Sequence, residues 1–253
     1  MYNKLQNIKE LQEQFQKIHP QLNIVFDYEP ISKKLYLILR FQYFYGEKAH
    51  SAAHAISLSK KLRTIQVNDS LAGDESFRNA LKSNNSIKKI IFNVVDDMKI
   101  QKILDFLKSN KNIETLCFKD LKLAGDSIKD IFSSYLLENS SLVSLNLMKN
   151  KLDINSDGIG ALKDILLTSN VPLKKINLSN NMLKSEKIAD HLSEIFKSKQ
   201  LTKFKLNRCQ YNNVELWNKI SKANPTHIQI LDLSFNHVDL DLISDFILSL
   251  IHI

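Results

Sequence analysis

His50 and His54 lie four residues apart in the segment HSAAH. On a helix this spacing places two imidazoles on one face, which is how zinc enzymes with an HExxH motif bind their metal. Here no glutamate follows the first histidine, and the sequence offers no evident third ligand. We therefore expect two surface or partly buried helix histidines and no metal site.

The two cysteines, Cys117 and Cys209, are the candidate nucleophiles. A reactive thiol needs an adjacent base and an environment that favours the thiolate. Lys119 is a positive neighbour of Cys117, but no histidine lies close to it in the sequence. We expect two free thiols without a catalytic role. Two cysteines are also too few for a disulfide framework, which favours a reducing compartment.

Other catalytic signatures are missing from the sequence. It contains neither GxxxxGK[ST] nor GxSxG, and its acidic residues are scattered rather than paired. Asp96 and Asp97 are explained by turn formation. The sequence therefore predicts a protein that is not an enzyme and uses no cofactor and no small-molecule substrate.

An internal repeat is the strongest signal along the chain. The spacing apolar-x-x-apolar-x-apolar occurs eight times, at intervals of 25 to 31 residues. The clearest copies read LVSLNLMKNKL, LKKINLSNNML and IQILDLSFNHV, each with asparagine at position 9 counted from the first apolar residue. The copies start at Tyr36, Leu62, Ile87, Ile113, Leu142, Leu173, Leu201 and Ile228.

Each copy predicts one strand followed by one helix. Positions 4 and 6 are apolar and alternate with polar residues, as in Leu145 and Leu147 around Asn146, which is typical of a half-buried strand. Apolar residues such as Ile159 and Leu162 then recur at helical spacing. One such unit cannot bury its apolar face alone. Successive units must therefore stack, with the strands in a parallel sheet and the helices outside it.

This pattern resembles leucine-rich repeats, and the long intervals resemble the ribonuclease-inhibitor-like type. The resemblance covers about residues 36–253. It implies an α/β solenoid of about eight repeats, with a curved parallel sheet on the concave face and helices on the convex face. Asparagine at position 9 can hydrogen-bond the turn that leaves the strand, and Ser70 and Cys209 replace it elsewhere. The first four copies are degenerate, so a separate small α/β unit is an alternative for the front half.

The two ends of the sequence differ. A helical apolar stripe over residues 5–18 and a strand over residues 22–28 predict an N-terminal cap, whose strand turns at Pro30 and pairs antiparallel with the first repeat strand. We assign residues 1–34 to this cap and residues 35–253 to one continuous repeat domain. Residues 240–253 predict an apolar helix without a polar closing unit, so we expect either a fragment of a longer protein or self-association through this helix.

A binding surface follows from the strand alternation. Positions 1, 4 and 6 point inward, so positions 3, 5 and 7 are predicted to face the concave side, Cys117 among them. Basic residues that would steer an acidic partner are Lys174, Lys175, Lys203, Lys205 and Arg208. Apolar residues that would anchor an interface are Ile91, Met148, Ile230 and Phe235. The candidate set also includes Lys89, Lys119, Asn177 and Asp232. A solvated lysine-rich face is the alternative interpretation of the basic cluster.

Composition and the lengths of the apolar stretches indicate where the protein is located. The net charge is +8, no apolar stretch approaches the roughly 18 residues of a membrane span, and the first residues lack the apolar core of a secretory signal. We expect a cytoplasmic protein, or one exported to a host cell without a Sec signal peptide.

The resemblance implies a non-catalytic module that binds an acidic protein partner on its concave face. Abundant Lys, Ile and Asn resemble the residue usage of AT-rich genomes, including intracellular bacterial pathogens that export leucine-rich-repeat effectors. The alternatives are a regulatory fragment of a larger protein and an electrostatic binder of anionic membrane or nucleic acid, the latter less expected.

Overall fold

The structure is a computed structural model in which two units are distinguished, Met1–Glu114 and Thr115–Ile253. It describes residues 13, 24–29, 34–39, 47–60, 62–108, 110–123, 125–131, 135–136, 138, 141–152, 157–168, 171–183, 185–209, 218–219, 222–223, 227–236 and 244. The helices predicted over residues 5–18 and 240–253, apart from Glu13 and Ser244, lie outside the described residues.

The first strands that are described in unit 1 form an antiparallel pair. The elements of unit 1 are β1 (Ile24–Glu29), β2 (Lys34–Leu39), α1 (Glu47–Leu58), β3 (Thr64–Val67), α2 (Asp69–Gly73), α3 (Glu75–Ser83), β4 (Lys89–Phe92) and α4 (Asp97–Leu107). β1 pairs antiparallel with β2, and β2, β3 and β4 pair parallel in that order. The predicted antiparallel return strand is thus confirmed, whereas its role as a cap stays a prediction.

Unit 2 alternates parallel strands with helices. Its elements are β5 (Thr115–Cys117), α5 (Gly125–Ile131), β6 (Ser144–Asn146), α6 (Asp157–Thr168), β7 (Lys175–Asn177), α7 (Glu186–Phe196), β8 (Lys203–Lys205) and β9 (Ile230–Asp232). The strands pair parallel in sequence order, and each position of one copy faces the same position of the next. Within each unit this α/β arrangement is consistent with leucine-rich-repeat-like stacking.

The core of unit 2 is formed by positions 4 and 6 of successive copies. The side chains there are at most 1% exposed in four copies: Leu116, Phe118, Leu145, Leu147, Ile176, Leu178, Phe204 and Leu206. Phe204 of β8 packs edge to face on Phe196 of α7, with ring centroids 5.1 Å apart. A Cβ on Gly160 of α6 would lie 3.1 Å from Nε2 of His191 on α7, so glycine permits this close approach of the two helices. The predicted inward positions are confirmed in these copies.

Polar side chains determine where several helices begin. Oxygens of Asn68, Asp74, Asp96 and Ser185 accept hydrogen bonds from the backbone N–H three residues later, which is the N-cap arrangement. Asp96, which the sequence assigns to a turn, is therefore the cap that begins α4. Each such cap contributes about 1 kcal/mol to stability.

Buried Asn84 closes the turn between α3 and β4 in unit 1. Its Nδ2 donates to the carbonyl oxygens of Ile56 at 2.6 Å and Ser59 at 2.9 Å. Its Oδ1 accepts from the backbone N–H groups of Ser86 at 2.8 Å and Ile87 at 2.9 Å. One amide therefore satisfies backbone groups at the end of α1 and just before β4.

Two other residues occupy the same place, three residues before the next copy starts. Asn110 donates to the carbonyl oxygen of Leu81 at 3.4 Å, and the hydroxyl of Ser198 donates to that of Leu166 at 3.5 Å. Each bond reaches the end of the preceding repeat's helix. This second row of polar side chains was not predicted from the sequence.

No helix in the described ranges combines the length and the apolar character needed to cross a bilayer.

Candidate functional site

Within the described ranges, six copies leave their strand through a left-handed residue at position 8. These residues have φ between 52° and 61°: Val94, Asp120, Lys149, Asn180, Arg208 and Phe235. In unit 2 the backbone N–H at position 8 donates to the carbonyl at position 7 of the next copy, as from Asn180 to Asn207 at 2.9 Å and from Arg208 to Ser234 at 3.1 Å. In the copies at Ile113, Leu142, Leu173 and Leu201 the left-handed residue thus makes this inter-strand hydrogen bond, although its side chain differs from copy to copy.

The asparagine at position 9 supports the same turn. Asn181 is fully buried, and its Nδ2 donates to Leu147 O at 3.0 Å in the preceding copy and to Leu178 O at 2.7 Å in its own. Its Oδ1 accepts from the N–H of Asn150 at 3.0 Å. Asn150 and Asn236 bond to two copies in the same way. The predicted bonding of the turn is confirmed, and it also joins neighbouring copies.

The open face of the unit 2 sheet carries a row of position 3 side chains. Lys175, Lys203 and Ile230 face one another in register across β7, β8 and β9. Because the next residue on each strand points to the opposite face, these side chains lie on the side away from the helices. Lys175 is exposed, Lys203 is half-buried and Ile230 is 48% exposed. Lys174, just before β7, is also exposed.

Two of these lysines have no counter-charge in the described part of the chain. No carboxylate there lies within 4 Å of the Lys175 or Lys203 nitrogen, although several other lysines form ion pairs. Since the two residues are neighbours on paired strands, they form a local concentration of positive charge.

Position 5 carries a different chemistry. Lys205 forms an ion pair with Asp232 on the next strand, with 3.3 Å between Nζ and Oδ2. Hydrogen bonding from Ser234 holds the pKa of the Asp232 carboxyl below its usual value despite partial burial, and Lys205 adds to this effect. Asn177 uses its Oδ1 to accept from the N–H of Ser179 at 2.9 Å. These three predicted contact residues thus already serve interactions within the chain.

Arg208 and Phe235 form a stacked pair at position 8. The guanidinium carbon of Arg208 lies 4.6 Å from the Phe235 ring centroid, within the range of a cation–π interaction. Both side chains are exposed, Phe235 to 73%. The described part of the chain offers no hydrogen-bond acceptor to this guanidinium. Five N–H donors are therefore left to solvent or to a partner.

The remaining predicted contact residues lie elsewhere in the two units. Lys89 and Ile91 are half-buried on β4 of unit 1. In unit 2, Lys119 is exposed after β5 and Met148 is half-buried after β6. Unit 2 thus brings together the basic and apolar residues of the copies at Leu173, Leu201 and Ile228 on neighbouring strands.

Cys117 and Cys209 form no disulfide and are both buried, although Cys117 was predicted to face the concave side. Cys117 is 8% exposed and Cys209 is fully buried. The Cys209 Sγ donates to Leu178 O at 3.4 Å, as the position 9 asparagines do through their amides. Burial raises the pKa of this thiol to about 12, so it stays protonated.

Neither thiol of the folded protein is expected to react with iodoacetamide at neutral pH, because alkylation requires an accessible thiolate. In concentrated urea both should be modified. Mass spectrometry of the intact protein before and after denaturation measures this directly. Rapid modification of Cys117 in the native protein would show that its burial is not maintained in solution.

The histidine pair lies on α1, where His50 and His54 are both exposed. Within the described ranges, no three His, Cys, Asp or Glu side chains come together as a metal site would require. The site geometry therefore consists of cations, exposed apolar groups and backbone turns.

Comparison with known proteins gives distant similarities. No protein-family model matches the sequence, and no curated protein matches it. Among solved structures, actin-binding site 2 of leiomodin-1 is 14% identical, with a TM-score of 0.47 over 68% of this chain and 84% of that chain. The tropomodulin C-terminal domain of Caenorhabditis elegans is 10% identical, with a TM-score of 0.33 over 80% and 90% of the two chains. A TLR13–ssRNA13 complex is 17% identical, with a TM-score of 0.43 over 70% of this chain and 26% of that chain. With TM-scores below 0.5, none of these similarities bears on what this chain binds.

Proposed function

We propose that the chain is a non-catalytic protein-interaction module that binds an acidic partner protein on the open face of the unit 2 sheet. The observation that carries this proposal is the register of Lys175, Lys203 and Ile230, which sets two uncompensated cations beside an exposed aliphatic side chain. Such a mixture of charge and apolar surface suits a protein interface, where apolar anchors give affinity and charges give specificity and encounter rate.

The charges on this face indicate the charge of the partner. Among the described residues at positions 3, 5 and 7 of the unit 2 copies, Asp232 is the acidic one, and it forms an ion pair with Lys205. Lys174, Lys175, Lys203 and Arg208 then leave a positive surface next to Ile230 and Phe235. A partner that offers carboxylates around an apolar patch would complement both features.

We further propose a leucine-rich-repeat solenoid of the ribonuclease-inhibitor-like type, with about eight repeats and with residues 1–34 as its cap. The repeat spacing and the position 9 asparagines support this assignment. A cytoplasmic location, export without a signal peptide, an effector role in host cells, a regulatory fragment and self-association through residues 240–253 stay predictions from the sequence.

The double variant Lys175→Glu, Lys203→Glu is expected to lose its partner while keeping its fold. Reversing two neighbouring charges places like charges opposite the partner's carboxylates, which should weaken binding by about 100-fold or more. The partner is first captured from cell lysate with the immobilised chain and identified by mass spectrometry, and the purified partner is then titrated calorimetrically. Circular dichroism verifies that the variant is folded.

Two further variants make this test specific. Lys187→Glu, Lys199→Glu changes the net charge equally at exposed lysines outside the strands, and it should bind like the wild type. Asp232→Asn releases Lys205 from its ion pair and should strengthen binding. Equal losses in both double variants, with binding abolished by moderate salt for any polyanion, would instead indicate nonspecific binding of nucleic acid or anionic membrane.

A further inference from the structure

We infer that the stacked pair Arg208–Phe235 is the anchor of the interaction surface, and that its occupant is an acidic protein segment presenting a carboxylate next to an apolar side chain. This inference rests on the proposed function, which it makes more specific. The proposed function concerns the face of the strands, whereas this pair lies in the turns that follow them.

The residue types at position 8 are the first argument. The backbone at position 8 is left-handed, a conformation that asparagine, aspartate and glycine tolerate and that bulky side chains disfavour. Asn180 and Asp120 satisfy this preference, whereas Val94, Lys149, Arg208 and Phe235 do not. Among these four residues, Arg208 and Phe235 stand in neighbouring copies and contact each other, so two disfavoured turns coincide with one exposed pair. Residues held in such strained conformations are concentrated at functional sites.

The geometry of the pair is the second argument. Phe235 is 73% exposed, so its ring contributes little to the core and offers a large apolar surface to a partner. The guanidinium carbon of Arg208 lies over this ring, 4.6 Å from its centroid, so the ring restricts where the guanidinium can lie. Since arginine bonds a carboxylate through two parallel N–H groups, a guanidinium held at this point favours an acidic group there.

The surrounding charge favours the same occupant. Lys203 lies in the same copy as Arg208 without a carboxylate nearby in the described chain, and Ile230 lies in the same copy as Phe235. The segment would thus meet two cations in the copy at Leu201 and two apolar side chains in the neighbouring copy at Ile228. An alternating or mixed acidic and apolar peptide matches that arrangement.

If the pair is a functional anchor, replacing either side chain should raise stability and weaken binding. If its role is structural, replacing either side chain should lower stability and leave binding unchanged. Phe235→Asn and Arg208→Asn relieve the backbone preference, so each should raise the urea midpoint of unfolding by about 0.3 to 0.5 M. The same variants should weaken binding of the partner segment by at least about 30-fold. Val94→Asn is the matched control, because Val94 has the same backbone conformation and is 76% exposed in unit 1. It should raise the midpoint and leave binding unchanged.

The experiment uses a phage-displayed random dodecapeptide library selected on the full chain. Enriched peptides are synthesised with a fluorescent label, and their affinities are measured by anisotropy for the wild type and each variant. Enrichment of Asp or Glu next to Leu, Phe or Trp, together with the losses stated for Arg208→Asn and Phe235→Asn, supports the inference.

Other outcomes overturn it in distinguishable ways. Peptides that depend on Lys175 and Lys203 but not on Arg208 or Phe235 would leave the proposed function standing and refute the anchor. Enriched peptides without acidic residues would refute the chemistry of the occupant. Selection that yields no binder, while single-stranded DNA or phosphatidylserine vesicles bind through Arg208, would refute both the anchor's occupant and the proposed function. A failure of all these probes to bind would refute both as well.

Discussion

Replacing Asn181 with leucine is expected to lower the free energy of unfolding by about 3 to 5 kcal/mol. Leucine has a similar shape but can neither accept nor donate a hydrogen bond. The N–H of Asn150 would lose its acceptor inside the core, which costs about 1 to 3 kcal/mol for a buried donor. The bonds to Leu147 O and Leu178 O add about 1 kcal/mol each, because both oxygens keep another donor, Asn150 Nδ2 and Cys209 Sγ respectively.

Asn180 provides the matched control for this prediction. It is the neighbouring residue and of the same type, but it is only half-buried and lies in the left-handed region that glycine adopts freely. Asn180→Gly should change stability by no more than about 0.5 kcal/mol. Urea unfolding followed by far-ultraviolet circular dichroism compares the two variants. Equal losses would mean that the turn backbone, and not the buried amide, accounts for the stabilisation.

The asparagines at position 9 show how far the sequence determines the fold. Alternating apolar residues predict strands because one face of each strand must be buried, and the asparagine predicts polar bonding of the turn that follows. The spacing therefore places Leu145, Ile176 and Phe204 correctly in the core. The structure adds that each amide also bonds to the neighbouring copy, because stacked copies bring identical turns side by side.

The open face was predicted less completely, and Lys205 shows why. Its inclusion in the basic cluster followed from its position within one copy. Its partner is found by comparing position 5 of adjacent copies, where parallel pairing in register sets Lys205 opposite Asp232. The pairing of Lys205 with Asp232 can therefore be predicted from the sequence once the register is known. The stacking of Arg208 on Phe235 cannot, because it depends on the φ values of two turns.

The burial of Cys117 also exceeds what strand alternation predicts. Position 5 points to the open face, yet this thiol is only 8% exposed. Neighbouring side chains on a closely paired sheet can cover a small residue, so alternation gives the direction of a side chain but not its accessibility.

The second polar row was missed because helix lengths differ between copies. Asn84 and Asn110 have different position numbers when residues are counted from the start of their own copies. Both lie three residues before the start of the following copy. Ser59 and Ser198 take the same place, and so do Asn139 and Asn170 in the sequence. The row therefore marks the turn from helix to strand, where backbone groups at a helix end and a strand start need partners.

Replacing Asn84 with leucine is expected to be the more damaging substitution, with a loss of about 4 to 5 kcal/mol. The N–H groups of Ser86 and Ile87 both donate to the Asn84 Oδ1, so two buried donors would be left without an acceptor. The Nδ2 bonds to Ile56 O and Ser59 O would also be lost. Each unsatisfied donor costs about 1 to 3 kcal/mol, which exceeds the net value of an ordinary hydrogen bond. Urea unfolding measures the loss.

Asn85 makes this prediction specific to burial. It follows Asn84 directly, is exposed, and accepts one hydrogen bond from the side chain of Asn112 at 3.0 Å. Because water replaces that bond, Asn85→Ala should cost no more than about 0.5 kcal/mol. Amide hydrogen exchange of peptides that contain Ser86 and Ile87 should quicken in Asn84→Leu and stay unchanged in Asn85→Ala. If both variants exchange like the wild type, the two N–H groups have other acceptors in solution and the second row is not a structural requirement of unit 1.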